Sequence, residues 1–344
     1  MMKKMISLLL ALLLCVTAAT SMAKEFTDDT GRTLSLPDDI ARVAVTGQYA
    51  QIVEFALSPE SLVGLVSAWG TDSEAYIDER YIDLPLLGQL YGGKGNMNLE
   101  QIALAAPQIV LDVGEPKDGI GADLDALSSQ LGIPFVHISM NVATAPQGFR
   151  RLGELLDLQK EAEELAAYCE EISLRVQNVM DKVGGDRARF LYCLGGDGLN
   201  VVAKGSYHAE MIDMLTDNLA VVDAPSSKGT GNAIDMEQMM IWNPDVIIFA
   251  PDSIGHEVAD DPVWQSISAV ANGKIAVAPA VPYNLMGYPP AVQRYLGMIW
   301  MCELLYPEQS DFDLYEETAR YYKLFYHCEL TQEQFECLMD GAMF

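Results

Sequence analysis

The chain contains 344 residues, a length that suits two domains. Its 49 acidic residues outnumber 21 basic ones, and the net charge of −28 argues against nucleic acid or an anionic membrane as a partner. Half of the residues are hydrophobic, which is enough to build buried cores and argues against a disordered acidic chain.

The amino terminus has the pattern of a secretory signal peptide. Two lysines precede an apolar stretch, and small residues stand at positions 21 and 23, where a signal peptidase cleaves. We therefore predict that residues 1–23 are removed on export, to a periplasm or to the outer face of a single-membrane cell. Losing two lysines changes the net charge from −28 to −30. Cys15 could suggest a lipid anchor, but Leu14 precedes it where a small residue is needed, so we expect no lipidation.

Strands and helices alternate in the first lobe, which we assign to residues 24–145. Residues 26–37 are predicted to form a β-hairpin with a Thr-Gly turn. Further strands are predicted at 42–46, 62–66, 109–113 and 134–139, and helices at 99–105 and 122–131. Such alternation is typical of a doubly wound α/β domain.

A long helical region is predicted between residues 146 and 183. Apolar side chains recur there at steps of three and four along one face, until Gly184 and Gly185 end the pattern. The last ~25 residues would span ~37 Å, which is long enough to join two lobes. We assign residues 146–185 as an interdomain helix.

The second lobe is assigned to residues 186–344. Strands are predicted at 189–194, 246–249 and 275–278, and helices after the proline pair at 289–290, at 313–326 and at 331–339. The predicted fold class is therefore α/β, with two doubly wound Rossmann-like lobes joined by one long α-helix. The ligand cleft is expected between the lobes, beyond the carboxyl ends of the strands.

One segment of the first lobe is repeated in the second. It begins at Asn98 and recurs 137 residues later, from Asp235. In each copy the first residue can cap a short helix, a glutamine three residues later can complete a capping box, and a proline ends the helix before a β-rich apolar run. Glu100 and Glu237 occupy the same step of the repeat.

The chemistry-bearing residues argue against an enzyme. The sequence has no GxxxxGK[ST], HExxH or GxSxG motif, and its four histidines have no metal-ligand spacing. Five cysteines remain after cleavage, without a CxxC pair, which argues against a zinc site or a disulfide framework. We expect buried thiols, although Cys328 and Cys337 could form a bridge in an oxidising compartment.

Several segments in order carry a family resemblance. They are TDDTGRTLSLP, NLEQIALAAPQIVL, DMEQMMIWNPDVII, WQSISAVANGKI and PPAVQRYLGMIWMCELLYPE. With the leader and the long helix, the chain resembles the periplasmic binding proteins that serve iron–siderophore, haem or cobalamin uptake, over nearly its whole mature length. The resemblance implies a monomeric, non-catalytic carrier without a cofactor, which delivers a metal chelate to an ABC permease with its ATPase.

The same resemblance implies a role for the repeated glutamates. In that family an acidic residue on each lobe docks with basic residues of the permease, and Glu100 and Glu237 match those positions. The alternative is that each glutamate only stabilises the positive end of its helix.

Aromatic residues in the predicted strand-to-helix loops are the candidates for ligand binding. A flat or macrocyclic ligand is buried well between rings, and Tyr or His could also bind a metal centre. For any single residue, ordinary packing is the alternative. The predicted ligand-binding residues are Tyr49, Trp69, Tyr91, Lys94, Tyr207, His208, Tyr283 and Tyr288.

The predicted ligand is an iron chelate, haem or a corrinoid. The loops offer few basic residues, namely Lys94, Lys117, Lys204 and Lys228, which favours haem, a corrinoid or a neutral chelate over a strongly anionic one. Two other kinds of protein remain open: a tetrapyrrole chelatase built from similar lobes, and a secreted receptor or sensor domain. The signal peptide argues against the chelatase.

Overall fold

A computed structural model describes residues 23–91 and 95–344. The predicted signal peptide except its last residue, and with it Cys15, lies outside the described residues, as does Lys94. In the part that is described, no helix is both long enough and apolar enough to cross a membrane.

The first lobe contains a hairpin, a small parallel sheet and three helices. The hairpin pairs β1 (Ala23–Thr27) with β2 (Thr33–Pro37), as predicted. The sheet has the order β3-β4-β5 and all its strands run parallel. Its strands are β3 (Val43–Val45), β4 (Ile109–Gly114) and β5 (Phe135–Ser139), and the helices are α1 (Gln48–Leu57), α2 (Leu99–Ala105) and α3 (Ile120–Leu131).

Two elements of this lobe differ from the prediction. The strand expected at 62–66 is reduced to isolated bridges, Val43 with Leu62 and Leu65 with Leu86. Helix α1 was not predicted. Every residue from Tyr49 to Leu57 is buried, so its sequence lacks the polar face from which an amphipathic helix is recognised.

The connection between the lobes consists of two helices, α4 (Ala145–Leu156) and α5 (Gln159–Val183). The prediction of one continuous region was wrong at Asp157, which has a left-handed conformation with φ of 58°. The two helices then pack closely, because a Cβ on Gly153 would lie only 2.6 Å from that of Ala162. Helix α5 has 25 residues and spans ~37 Å, as the strut prediction required.

The second lobe is built around a six-stranded mixed sheet. Its strand order is β11-β10-β6-β7-β9. Strand β7 pairs with the last residues of β6, and β8 pairs with its first residues. The strands are β6 (Arg189–Leu194), β7 (Asn200–Val201), β8 (Asp217–Asn218), β9 (Asn232–Ala233), β10 (Val246–Phe249) and β11 (Ile275–Val277). Three short helices accompany them: α6 (Glu210–Leu215), α7 (Met236–Trp242) and α8 (Ser268–Ala271). The central strands are buried on both faces, which explains their continuous apolar sequences.

The repeated segment forms the same structure twice, as α2 before β4 and as α7 before β10. Asn98 accepts a hydrogen bond from the backbone of Gln101 at 3.1 Å, and Asp235 accepts one from Gln238 at 2.8 Å, so both predicted caps are confirmed. The predicted return bond, in which the glutamine side chain accepts from the backbone N–H of the cap residue, does not form in α2 or α7 of the described chain. It forms instead at the last helix, where the Gln334 side chain accepts from the Thr331 backbone N–H at 2.9 Å.

The chain ends in three helices: α9 (Arg294–Leu305), α10 (Leu314–Tyr326) and α11 (Gln332–Leu338). The last two reach back to the first lobe. Tyr76 donates a hydrogen bond to the Gln334 carbonyl at 3.1 Å, and the His327 ring lies 3.0 Å from the Phe55 carbonyl oxygen. The lobes are therefore connected by more than α5.

The cysteines of the described chain are free thiols. Cys169, Cys193 and Cys302 are buried, as expected. Cys328 is half-buried and Cys337 is exposed, and the bridge considered between them is not formed.

One buried carboxyl makes stability depend on pH. Glu54 on α1 is fully buried, accepts a hydrogen bond from Ser61, and has a second oxygen with no partner among the described residues. Burial raises the pKa of Glu54 from 4.5 to about 7, and the Ser61 hydrogen bond opposes that rise. Between these values the folded state holds a proton that the unfolded state has lost. Stability therefore falls as the pH rises through this window, by on the order of 3 kcal/mol.

We expect Glu54→Gln to raise the melting temperature at pH 8 and to change it little at pH 5, because the amide cannot ionise. Thermal unfolding at both pH values measures this. Glu60→Gln, at an exposed position nearby, is the control and should have no pH-dependent effect. An equal shift at both pH values for Glu54→Gln would contradict the assignment.

Candidate ligand-binding cleft

The first-lobe side of the cleft is formed where the parallel strands end. Tyr49 stands at the start of α1, just after β3, and is 8% exposed. Gly114 ends β4, and a Cβ there would lie 3.9 Å from the Tyr49 ring. Glu115 follows and accepts a hydrogen bond from the Asn141 amide at 3.0 Å. Three loops thus meet at the carboxyl edge of the sheet, where α/β proteins bind ligands.

The second-lobe side is dominated by Arg294, the first residue of α9. It is only 1% exposed. Its Nη1 donates to Glu210 Oε2 at 2.7 Å, and its Nη2 donates to the carbonyl oxygens of Tyr207 at 3.2 Å and His208 at 3.4 Å. Its buried Nε has no acceptor among the described residues. A buried guanidinium is costly unless paired, and this one keeps an unused donor.

Gly287 is required beside this guanidinium. Its φ of 89° lies in the left-handed region that favours glycine, and a Cβ there would come within 2.3 Å of Arg294 Nε. The loop therefore approaches the guanidinium more closely than any larger residue would allow.

A stacked pair of rings lies next to Arg294. The His208 and Tyr288 rings are 4.9 Å apart and nearly parallel, with an interplanar angle of 12°. A Cβ on Gly229 would lie 3.2 Å from the Tyr288 ring, so the loop at 226–231 packs against this pair. The Ser206 hydroxyl, His208 Nδ1 and the Tyr288 hydroxyl are buried without partners among the described residues. This wall combines ring surface with unsatisfied polar atoms.

Electrostatic effects connect the two sides. Burial raises the pKa of Tyr49 well above its usual range, with a further rise from Tyr207 of the other lobe and an opposing effect from Arg294. Burial also raises the pKa of Glu210, Arg294 opposes this, and Glu115 of the first lobe adds to it. Nearby, Tyr295 donates a hydrogen bond across the junction to the Val142 carbonyl at 2.5 Å.

The protonation states follow from these surroundings. Burial lowers the pKa of His208, and the Arg294 charge lowers it further, so the imidazole is neutral at pH 7. Burial raises the pKa of Tyr207 and of Tyr288, so both phenols keep their protons. Neutral hydroxyls and one guanidinium are groups that can donate hydrogen bonds to an anion, and the Tyr288 hydroxyl and Arg294 Nε are buried in this structure.

Two of the predicted residues lie in the packed junction between the lobes. Trp69 donates to the Tyr81 carbonyl at 2.9 Å, and its ring centre lies 5.7 Å from that of Tyr283. The Tyr283 hydroxyl accepts a hydrogen bond from Gln51 at 2.8 Å. They are 8% and 6% exposed, respectively, so they offer little ring surface to a ligand.

Tyr91 lies near the end of β3, because the backbone of Leu90 donates a hydrogen bond to the Thr46 carbonyl at 2.7 Å. The Lys117 ammonium lies 3.6 Å from the centre of its ring, and its buried hydroxyl has no partner among the described residues. Burial raises the pKa of Tyr91 to about 12, and the charge of Asp112 adds to this. The structure thus groups Tyr49, Tyr207, His208 and Tyr288 around Arg294, whereas the Tyr91 ring contacts Lys117.

The prediction from sequence missed Arg294, Glu210 and Glu115. The first carries a recognisable signal, because it begins the segment RYLGMIWMCELL, whose other residues are almost all apolar. A lone arginine in a helix that is buried all round must have a specific partner. Within the described residues, no group of three or more His, Cys, Asp or Glu side chains is arranged to hold a metal ion.

Comparison with known proteins identifies the family. Residues 43–282 match the family described as "Periplasmic binding protein", which is more than half of the chain. The chain belongs to this family. The predicted resemblance is confirmed, and so is the two-lobed α/β fold class.

Relatives of this periplasmic binding protein align along nearly its whole length. The molybdate-binding protein MolA of Haemophilus influenzae is 24% identical, with 94% of this chain and 97% of MolA covered. The structure of MolA bound to molybdate has a TM-score of 0.70 at 21% identity and covers 90% of this chain and 99% of that one.

Other solved structures share the fold. An ABC transporter solute-binding protein from Sulfurospirillum deleyianum has a TM-score of 0.81 at 23% identity, with 92% of this chain and 99% of that chain covered. The catecholate-siderophore binding protein VctP of Vibrio cholerae has a TM-score of 0.58 at 17% identity, with 80% of this chain and 99% of that chain covered.

Proposed function

We propose that this periplasmic binding protein captures an anionic, metal-containing solute at Arg294 and delivers it to an ABC permease with its ATPase. The observation that carries the proposal is the buried guanidinium at the cleft, with an Nε–H that no described residue accepts. A guanidinium offers donors in a fixed fork that matches an oxyanion or a carboxylate. We place the protein outside the cytoplasm, as its family and predicted leader imply.

A molybdate-type oxyanion is our first candidate for the ligand. The few loop lysines favour a neutral chelate, haem or a corrinoid, but Arg294 adds a buried positive charge beside the loops. Neutral tyrosine hydroxyls beside the guanidinium could donate to the remaining oxygens of a tetrahedral anion. The similarity to MolA along the whole chain supports this candidate.

A larger metal chelate is the second candidate. The stacked His208 and Tyr288 rings and the half-buried Tyr207 give a ligand some aromatic surface. An iron–siderophore complex with anionic oxygens could use this surface and Arg294 together. Haem or a corrinoid would need more open ring surface than the packed Trp69 and Tyr283 provide.

We infer that the protein is a carrier and has no catalytic activity. The relatives reported above are binding proteins, whereas a chelatase would need a well-placed acid, base or metal-binding group. A receptor or sensor role on the same scaffold would be favoured if no permease and ATPase genes stood beside this one.

Replacing Arg294 tests the ligand site. We expect wild-type protein to bind sodium molybdate in calorimetric titration, and Arg294→Gln to bind at least ~100-fold more weakly because the forked donor is lost. The double variant Arg294→Gln/Glu210→Gln restores charge balance and should be folded yet equally weak. Arg320→Gln, outside the cleft, is the control.

The outcomes of that titration are distinct. A folded double variant with wild-type affinity would exclude Arg294 as the anion site. If wild-type protein does not bind molybdate, a ferric catecholate is titrated next. Absence of binding to both would exclude an anionic, metal-containing solute as the ligand.

The docking sites are proposed at Glu100 and Glu237. Both side chains are exposed in the first turn of matched helices, and neither forms an ion pair in the described chain. Exposed charge pairs contribute only ~0–1 kcal/mol each but set orientation and encounter rate. Such weak contacts suit a carrier that must also leave the permease.

Charge reversal tests docking separately from ligand binding. We expect Glu100→Lys/Glu237→Lys to abolish uptake in cells while the purified protein keeps its ligand affinity. The matched control is Glu161→Lys/Glu316→Lys, the same charge change in the first turns of two other helices. Normal uptake by the first variant would refute the docking assignment.

A further inference from the structure

The two repeated helices expose the same face. Ile102 of α2 and Met239 of α7 occupy equivalent positions of the repeat, and both are 0% exposed. Two residues earlier stand the exposed glutamates, and two residues later stand Leu104 and Ile241. Positions four apart are neighbours on a helix surface, so each lobe presents a glutamate beside an aliphatic side chain.

These aliphatic side chains are unusually exposed. Leu104 is 71% exposed and Ile241 is 70% exposed, the two highest values for large hydrophobic residues in the described chain. Met240, beside Ile241, is a further 45% exposed. Single exposed aliphatic residues are common on protein surfaces. Matched exposure at the same step of a repeat in both lobes is not explained by packing, because Ile102 and Met239 already bury each helix against its sheet.

We propose that Leu104 and Ile241 are the apolar centres of the two permease-docking patches, with Glu100 and Glu237 at their charged rims. This inference rests on the proposed docking function and extends it. Protein interfaces commonly combine an apolar centre with a polar rim. Two similar patches, one on each lobe, fit a partner built from two alike halves, each with an apolar depression beside a basic group.

The charge and size of the patches agree with this partner. The chain carries a net charge of −28, so its rims attract a basic surface over some distance. Each patch is a few side chains on a seven-residue helix, which suits a transient contact.

The test measures binding of the protein, as purified and without added ligand, to its permease–ATPase complex in lipid nanodiscs. We expect Leu104→Gln/Ile241→Gln to weaken that binding at least ~10-fold. Glutamine preserves helix propensity and approximate size, so the fold should be retained. Ligand affinity should also be unchanged. The matched control is Leu174→Gln/Val221→Gln, at side chains that are 63% and 67% exposed outside the two helices.

Each outcome is decisive. Normal binding by Leu104→Gln/Ile241→Gln, with loss of binding by the charge-reversal variant, overturns this inference and leaves the glutamate docking in place. Normal binding by both variants overturns the docking proposal as well. A wild-type dimer that Leu104→Gln/Ile241→Gln dissociates, with permease binding unchanged, would assign the patches to a second copy of the chain instead.

Discussion

A buried guanidinium is the constraint on which the cleft depends. Arg294 begins a helix in which nearly all other residues are buried, so its charge must be balanced where it lies. Glu210 supplies the counter-charge, the Tyr207 and His208 carbonyls accept two further bonds, and Gly287 leaves the space that the guanidinium occupies. The segments that hold Arg294 are also those that form the second-lobe wall. The same contacts therefore balance the Arg294 charge and fix the shape of the site.

Local signals predicted much of the fold. Both repeated helices were predicted, the first with its bounds at 99–105, because cap, proline and strand signals agree over a few residues. Helix α1 was missed because it is buried all round, and the break at Asp157 was missed because the apolar spacing continues across it. The strand at 62–66 was predicted from apolar content, but only isolated pairings form there.

The site was harder to predict than the fold. Arg294 and Glu210 are 84 residues apart, and no local pattern indicates that they pair. Trp69 and Tyr283 stand in loops, yet they pack against each other across the lobe junction. An aromatic residue in a loop has the same sequence signature whether it faces a ligand or a neighbouring lobe, because tertiary packing decides between the two.

The proposed ligand site and the proposed docking helices occupy different parts of the molecule. The cleft gathers buried polar atoms between the lobes, whereas the repeated helices present charge and apolar surface outward. Helix α5 and the C-terminal helices both connect the lobes, which favours modest opening over a wide hinge motion. If both proposals hold, ligand affinity and permease affinity can be set independently.

The most direct measurement of the central claim is anomalous diffraction from crystals soaked in sodium tungstate or sodium molybdate. The account predicts one strong metal peak between the lobes, with anion oxygens within hydrogen-bonding distance of the Arg294 guanidinium. A single strong peak elsewhere, or an empty cleft at saturating concentration of both anions and of a ferric catecholate, would contradict it.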